Sequence, residues 1–148
     1  MPATYRIEKR KRLVIARVDG HVTETDLLEY QESLRKDPRF RADFDQIVDM
    51  RKCLRLDVTR AGICFAALRS PFGATSRRAV LATSANAQEL IRIFGLWSDG
   101  LTGRTRLFSD PERATIWLGI PDHDVVDAER PWYPVISSPF GIPAPEPS

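Results

Sequence analysis

The sequence predicts an α/β domain: a mixed sheet with a parallel core, antiparallel strands at its N-terminal side, and about four helices. Two observations carry this. Short apolar runs of strand length alternate with segments in which apolar residues recur at helical spacing, and each helical segment is preceded by a residue able to cap it. Strands that alternate with helices pair in parallel through right-handed crossovers, whereas the first two strands flank a turn too short for a crossover and so must be antiparallel. At 148 residues, 43% hydrophobic and 28% charged, the chain has the size and composition of one globular domain.

The chain opens with Tyr5 and Ile7, then Glu8-Lys9-Arg10-Lys11-Arg12, then the apolar run Leu13 to Val18. This is an antiparallel hairpin with a charged tip. Basic residues at that tip have no interleaved aromatics, so a solvated turn is their commoner meaning. Asp19-Gly20-His21 breaks the strand, and Thr23 with Asp26 three residues on starts a helix through Leu27, Tyr30, Gln31 and Leu34. Asp37-Pro38 ends it. Arg39 to Asp45 is a polar connection in which Phe40 and Phe44 tuck under the domain.

Gln46 to Leu68 is the stretch around which the rest is arranged. Ile47 and Val48 form a short buried strand closed by Asp49, a basic connection follows, and Asp57-Val58-Thr59 places capping residues ahead of a helix carrying Ile63, Ala67 and Leu68. A helix N-terminus presents unpaired N–H groups and about half a positive charge, so an anion there is stabilised, whether a carboxylate or the phosphate of a modified hydroxyl. Asp57 and Thr59 stand at this helix start, and with Asp49 and Arg60 they are the candidate regulatory or anion-binding residues. Asp49 and Asp57 would serve acid/base chemistry only if a cleft joined them; pairing of Asp49 with Arg51, Lys52 or Arg55 is the plainer expectation.

After the turn-rich Ser70 to Ser76, Arg77 to Thr83 reads as the next buried strand. Leu90, Ile91, Phe94 and Trp97 then recur at helical spacing behind Ser84 or Asn86, and large aromatics in such a stripe are expected in the core. Thr105, Leu107 and Phe108 form a last strand, and Ser109-Asp110-Pro111-Glu112 opens a helix with capping-box spacing and inner residues Ala114, Trp117 and Leu118.

From Gly119 the character changes: seven of the eleven prolines lie between Pro121 and Pro147, and five acidic residues face Arg130 alone. The expected division is thus a domain over residues 1–118 and a Pro-rich acidic tail over 119–148, whose Trp132, Tyr133, Val135, Ile136 and Phe140 suggest docking on its own domain or on a second copy, with a short partner-binding peptide as the other reading. A net charge of +2 is far from a nucleic-acid-binding signature, and no nucleic-acid partner is expected. Cys53 and Cys64 fit neither a disulfide framework nor a zinc site, and His21 and His123 lack placed metal-ligand partners. No metal or cofactor is indicated. With no apolar run long enough for a membrane span and no leader-like segment, a cytoplasmic protein is expected.

Val18-Asp19-Gly20 before a Thr-capped helix, Asp37-Pro38-Arg39-Phe40, Ile47-Val48-Asp49, and Leu107 to Ala114 with Trp117-Leu118 together resemble the STAS fold shared by sulfate transporters and anti-sigma-factor antagonists. The resemblance covers about Leu13 to Leu118 and is closest to the small bacterial proteins grouped as STAS/SEC14-like or SpoIIAA-like. In the antagonists an aspartate ends the third strand, a second follows eight residues later, and the phosphorylated serine lies two beyond; Asp49, Asp57 and Thr59 match these positions. The departures are Val58, where that family has a small hydroxyl residue, and Arg60, where it has glycine. Arg60 would crowd a kinase docking surface, or would neutralise a phosphate.

The resemblance implies a non-catalytic regulatory or protein-interaction module, switched at the helix start bearing Thr59, with another regulatory protein as partner and a homodimer as the other candidate. SEC14-like kinship implies the alternative, a small-molecule or lipid-binding domain. No Gly-rich phosphate loop, nucleophile elbow or HExxH motif is present, so an enzyme is not expected.

Overall fold

The computed structural model describes residues 3–120 and the backbone of 133–134. Residues 3–8 (β1) and Leu13–Val18 (β2) form the expected antiparallel hairpin, closed by a 3-10 turn over Lys9–Lys11. Arg12 takes a left-handed conformation, φ 51°, to turn the chain back into β2.

Asp45–Asp49 (β4) lies parallel to β2, Arg77–Leu81 (β6) parallel to β4, and Arg104–Phe108 (β7) parallel to β6. With Tyr133–Pro134 (β8) antiparallel on β1, the sheet runs β7-β6-β4-β2-β1-β8. A parallel core with an antiparallel side is what the strand–helix alternation requires.

The helices cover both faces. Glu24–Lys36 (α1), Arg60–Leu68 (α2) and Ala85–Ser98 (α3) pack on the face that carries Val14, Ala16, Val48 and Val80, and enclose Tyr30, Leu34, Ile63 and Leu90. Pro111–Leu118 (α4) covers the other face, where Ala114 and Leu118 meet Leu13, Ile15, Ile47 and Leu81. Successive strand residues point to opposite faces, so one five-residue strand feeds both cores.

Each helix starts on a side-chain cap. Thr23 and Asp26 form a reciprocal capping box on α1, Ser84 caps α3, and Asp110 caps α4 with Pro111 in its first turn. Two expectations change. Asn86 does not cap α3; its side-chain oxygen accepts from the Leu56 backbone N–H at 2.9 Å. Ser109 lies one residue outside the α4 cap, because Pro111 fixes the first helical position and leaves Asp110 the half-turned residue before it.

The larger correction is a second sheet. Gly20–Thr23 (β3), read as a turn, pairs in parallel with Cys53–Asp57 (β5), read as a basic connection. Only Cys53 and Leu56 of β5 are buried, and Leu54 is 82% exposed. A strand with so little apolar alternation and basic neighbours gives a loop-like pattern. Trp97, expected in the core, is half exposed. The inward stripe of α3 runs Ala87, Leu90, Phe94 and closes on Ser98, which leaves Trp97 one position round the helix.

His123 and the tail's Trp132, Val135, Ile136 and Phe140 lie outside the described residues, as does any tail docking beyond the two-residue β8. No helix among the described residues is long and apolar enough to cross a membrane.

Candidate functional site

The parallel sheet and its crossovers through α1, α2 and α3 decide where the sequence-predicted residues fall. Asp49 ends β4 and is held in place by its own neighbour: Arg51 donates from Nε at 2.9 Å and from Nη2 at 2.8 Å, and its backbone N–H adds a third bond at 3.1 Å. Burial pushes the Asp49 carboxyl up, but the hydrogen bonds and charge of Arg51 more than reverse this and leave it below the ordinary carboxylate range. Among the candidate partners, Arg51 is the one that pairs.

Asp57 ends β5 in the small sheet, with His21 Nε2 at 3.4 Å, both side chains being more than half exposed. Thr59 is the N-cap of α2, accepting the Gly62 N–H at 3.0 Å. The α2 start also has a carboxylate beside it. Glu24 Oε1 lies 3.5 Å from the Thr59 hydroxyl, and a Cβ built on Gly62 would overlap the Glu24 side chain. Arg60 points to α3 and pairs with Glu89 at 2.7 Å, both exposed. Asp57, Thr59 and Arg60 thus share one exposed corner at the start of α2, whereas Asp49 belongs to the main sheet.

The feature that the sequence reading passed over lies between the layers. Alternation puts Gln46 of β4, Arg78 of β6 and Thr105 of β7 on the face covered by α1, α2 and α3, and the registers Gln46↔Arg78 and Arg78↔Thr105 set them side by side. They form a polar row under an otherwise apolar core. Above the row is a cavity of about 100 Å³ bounded by the sheet, α1, α2 and α3, with Val48, Val80, Ile63, Leu34 and Phe94 among its apolar walls. Ser70 and Pro71, from the loop after α2, line it while keeping partial exposure.

Arg78 is 1% exposed and has no carboxylate beside it among its described contacts. Its Nε donates to Thr105 Oγ1 at 3.3 Å and its Nη1 to the Thr102 carbonyl, while Phe72 and Phe94 lie 5.0 and 5.8 Å from the guanidinium carbon. Its Nη2 has no hydrogen-bond partner among the described residues. Burial pulls the Arg78 pKa down from its ordinary value to about 10, so the group is still charged at neutral pH. Beside it, Tyr30 donates its hydroxyl to Gln46 Oε1, and burial raises the phenol well above its ordinary value.

A signal for Arg78 did exist. In Arg77-Arg78-Ala79-Val80-Leu81 the second arginine stands two residues before Val80, and the period of two puts both on one face. Arg77, on the opposite face, behaves differently: it pairs with Asp45 at 3.1 Å and donates to the last carbonyls of α4 at Trp117 and Leu118.

Two other surfaces are less developed as sites. A recess of about 530 Å³ between α3 and β7 is bordered by Arg92, Asp99, Arg104 and Arg106, all exposed to solvent. Among the described residues no three His, Cys, Asp or Glu side chains are grouped to hold a metal ion.

No protein-family model matches the chain, and no curated protein does. Three solved chains match. One is an uncharacterised protein of the DUF3478 family with a SpoIIAA-like fold from Shewanella loihica PV-4, at 14% identity and a TM-score of 0.52, covering 78% of this chain and 93% of that one. At this identity the likeness is one of fold. The chain has a SpoIIAA-like α/β fold, as its sequence pattern implied.

Proposed function

We propose that this domain is a non-catalytic binding module that holds a small ligand between its sheet and helices α1 to α3. The observation that carries the reading is the buried, partly unpaired guanidinium of Arg78 on the wall of an apolar cavity. Burying a charge without a counter-charge costs several kcal/mol, so such groups concentrate where a ligand completes them. What supports binding over catalysis is that neither titratable group buried in the wall, Tyr30 or Arg78, changes charge near neutral pH.

The cavity also bounds the ligand. Drug-sized ligands occupy about 300–1,000 Å³. At about 100 Å³ this space suits a much smaller molecule and is too small for a diacyl lipid.

Native mass spectrometry of the full chain purified from its own host tests the proposal. A low-mass adduct, released on collisional heating and missing from the cavity-filling variant Val80→Leu, is the expected outcome. A bare mass, together with no response of the melting temperature to small probes such as pentanol and benzene, overturns it.

A protein-interaction role switched at Thr59 is the second reading, favoured by Phe65 and Leu68, which share α2 with Thr59 and are each 50% exposed. What weighs against a phosphate on Thr59 is the Glu24 carboxylate already at that helix start and Asp57 two residues before it. Like charges within a few ångströms would oppose the modification rather than exploit the helix end. Affinity capture with wild type, Thr59→Ala and Thr59→Glu as baits separates the cases: a partner lost only with Glu supports the switch, and identical recoveries oppose it.

A further inference from the structure

Resting on the ligand-binding reading, we infer that the cavity takes a short-chain aliphatic monocarboxylate, its carboxylate accepting a hydrogen bond from Arg78 Nη2 and its hydrocarbon body lying against Val48, Val80, Ile63 and Phe94. Three properties of the site select this class.

The first is charge. The wall presents one buried cation, and a monoanion neutralises it, whereas a phosphate dianion would leave a net buried charge. The second is the number of donors. Nε and one N–H of Nη1 are engaged by Thr105 Oγ1 and the Thr102 carbonyl, and Nη2 is without a hydrogen-bond partner among the described residues. A carboxylate brings two oxygens to this end of the guanidinium, while a phosphate or sulfate brings four, and the walls next to Arg78 are mostly hydrocarbon. The third is size. A cavity of about 150 Å³ lined by apolar side chains holds benzene, so about 100 Å³ holds a body of roughly three to five carbons.

The fixed position of Arg78 supports the assignment. Phe72 and Phe94 flank its guanidinium, and the loop carbonyl of Thr102 orients it. Gly103, at φ 102°, lets this loop approach: a Cβ there would stand 3.1 Å from Arg78 Nη1 and 2.3 Å from the Ser76 carbonyl oxygen. The cation is therefore presented preformed, with little side-chain entropy left to lose on binding.

The test is a 1H–15N correlation titration of the full chain with valerate, pentanol and inorganic phosphate as separate probes, read at the amides of Phe72, Val80 and Thr105. Valerate is expected to shift these amides saturably and at least tenfold more tightly than pentanol, with phosphate leaving them unmoved. Arg78→Met, whose spectral dispersion reports its fold, should lose the valerate preference and keep pentanol binding. Val80→Leu, which leaves Arg78 in place, should lose both.

The failures separate. Pentanol binding with no preference for valerate, a valerate preference that survives Arg78→Met, or phosphate competing at the same amides overturns the monocarboxylate assignment and leaves the cavity as a ligand site. No probe shifting these amides overturns both.

Discussion

Replacing Arg78 by Met removes a buried charge and its guanidinium while keeping an unbranched, apolar stem, and its effect on stability follows from opposed terms. An arginine whose folded pKa is pulled from its ordinary value down to about 10 bears a burial cost on the order of 3 kcal/mol, at about 1.4 kcal/mol per tenfold change. Because the folded value is the lower one, the whole cost is in force at neutral pH and is relieved only as pH rises through about 10. Against it stand two hydrogen bonds from a charged donor, to Thr105 Oγ1 and the Thr102 carbonyl, at about 1.5 kcal/mol each or more, and attraction to the faces of Phe72 and Phe94 at about 1 kcal/mol or more. The burial cost offsets most of this. Arg78→Met is expected to cost about 1–2 kcal/mol, at a position where truncating a buried large side chain ordinarily costs about 2–5 kcal/mol. Urea unfolding at pH 7, with the slope m unchanged, measures it. A loss above about 3 kcal/mol would refute the reasoning, since the guanidinium would then be a structural brace, with no need of a ligand to explain its burial.

Asp37→Ala should cost about 3 kcal/mol or more in the same assay, because its fully buried carboxylate takes three bonds from Arg39, one of them from its backbone N–H, and one from the Tyr5 hydroxyl, and its removal leaves the Arg39 guanidinium buried without that partner. In wild type, burial raises the Asp37 carboxyl and the Arg39 and Tyr5 bonds lower it further than that, so the net direction is downward. Its stabilisation is therefore full above about pH 4 and lost as pH falls through the depressed value; an acid-unfolding curve no shallower in Asp37→Asn than in wild type would contradict this. Thr59→Ala should lower stability by about 1 kcal/mol through the lost α2 cap, with the helix start otherwise unchanged; a loss below about 0.3 kcal/mol in urea unfolding would mean that Glu24 or water caps α2 equally well. Gly103→Ala should cost at least about 2 kcal/mol, combining a positive φ with a carbonyl 2.3 Å from the new Cβ, and a near-neutral melting temperature would show that the loop can yield.

Most of the main sheet was legible because its strands obey simple rules. Ile47-Val48 and Ala79 to Leu81 are continuous apolar runs, as strands covered on both faces must be, and the caps Thr23, Thr59 and Ser84 stand where the helices begin. The small sheet was hidden because β3 and β5 are short and bury just Val22, Cys53 and Leu56 between them, too few positions to show a strand period. The corner of Asp57, Thr59 and Arg60 could be placed by spacing, but its meaning depends on Glu24 and Glu89, brought in from α1 and α3 by tertiary packing. Arg78 was masked by its neighbour. Arg77-Arg78 reads as a pair of surface charges, and only the strand period assigns one to each face, with the cavity above the second set by three helices whose relative placement no local pattern encodes.

The two borders of the main sheet bear on how the protein behaves at high concentration. β7 ends one side, with exposed Arg104 and Arg106 along it, and charge on a border strand discourages a second molecule from adding to the ladder. On the other side β8 contributes just two residues against β1, and Pro134 has no N–H to offer an incoming strand. Shortening the polypeptide after residue 120 would uncover the β1 ladder that Tyr133 and Pro134 now cover, and strand exchange between molecules becomes the available route to satisfy it. Production of a trimmed domain for crystallography or NMR is therefore expected to yield self-associated material, and retaining residues up to at least Pro134 is the simple safeguard.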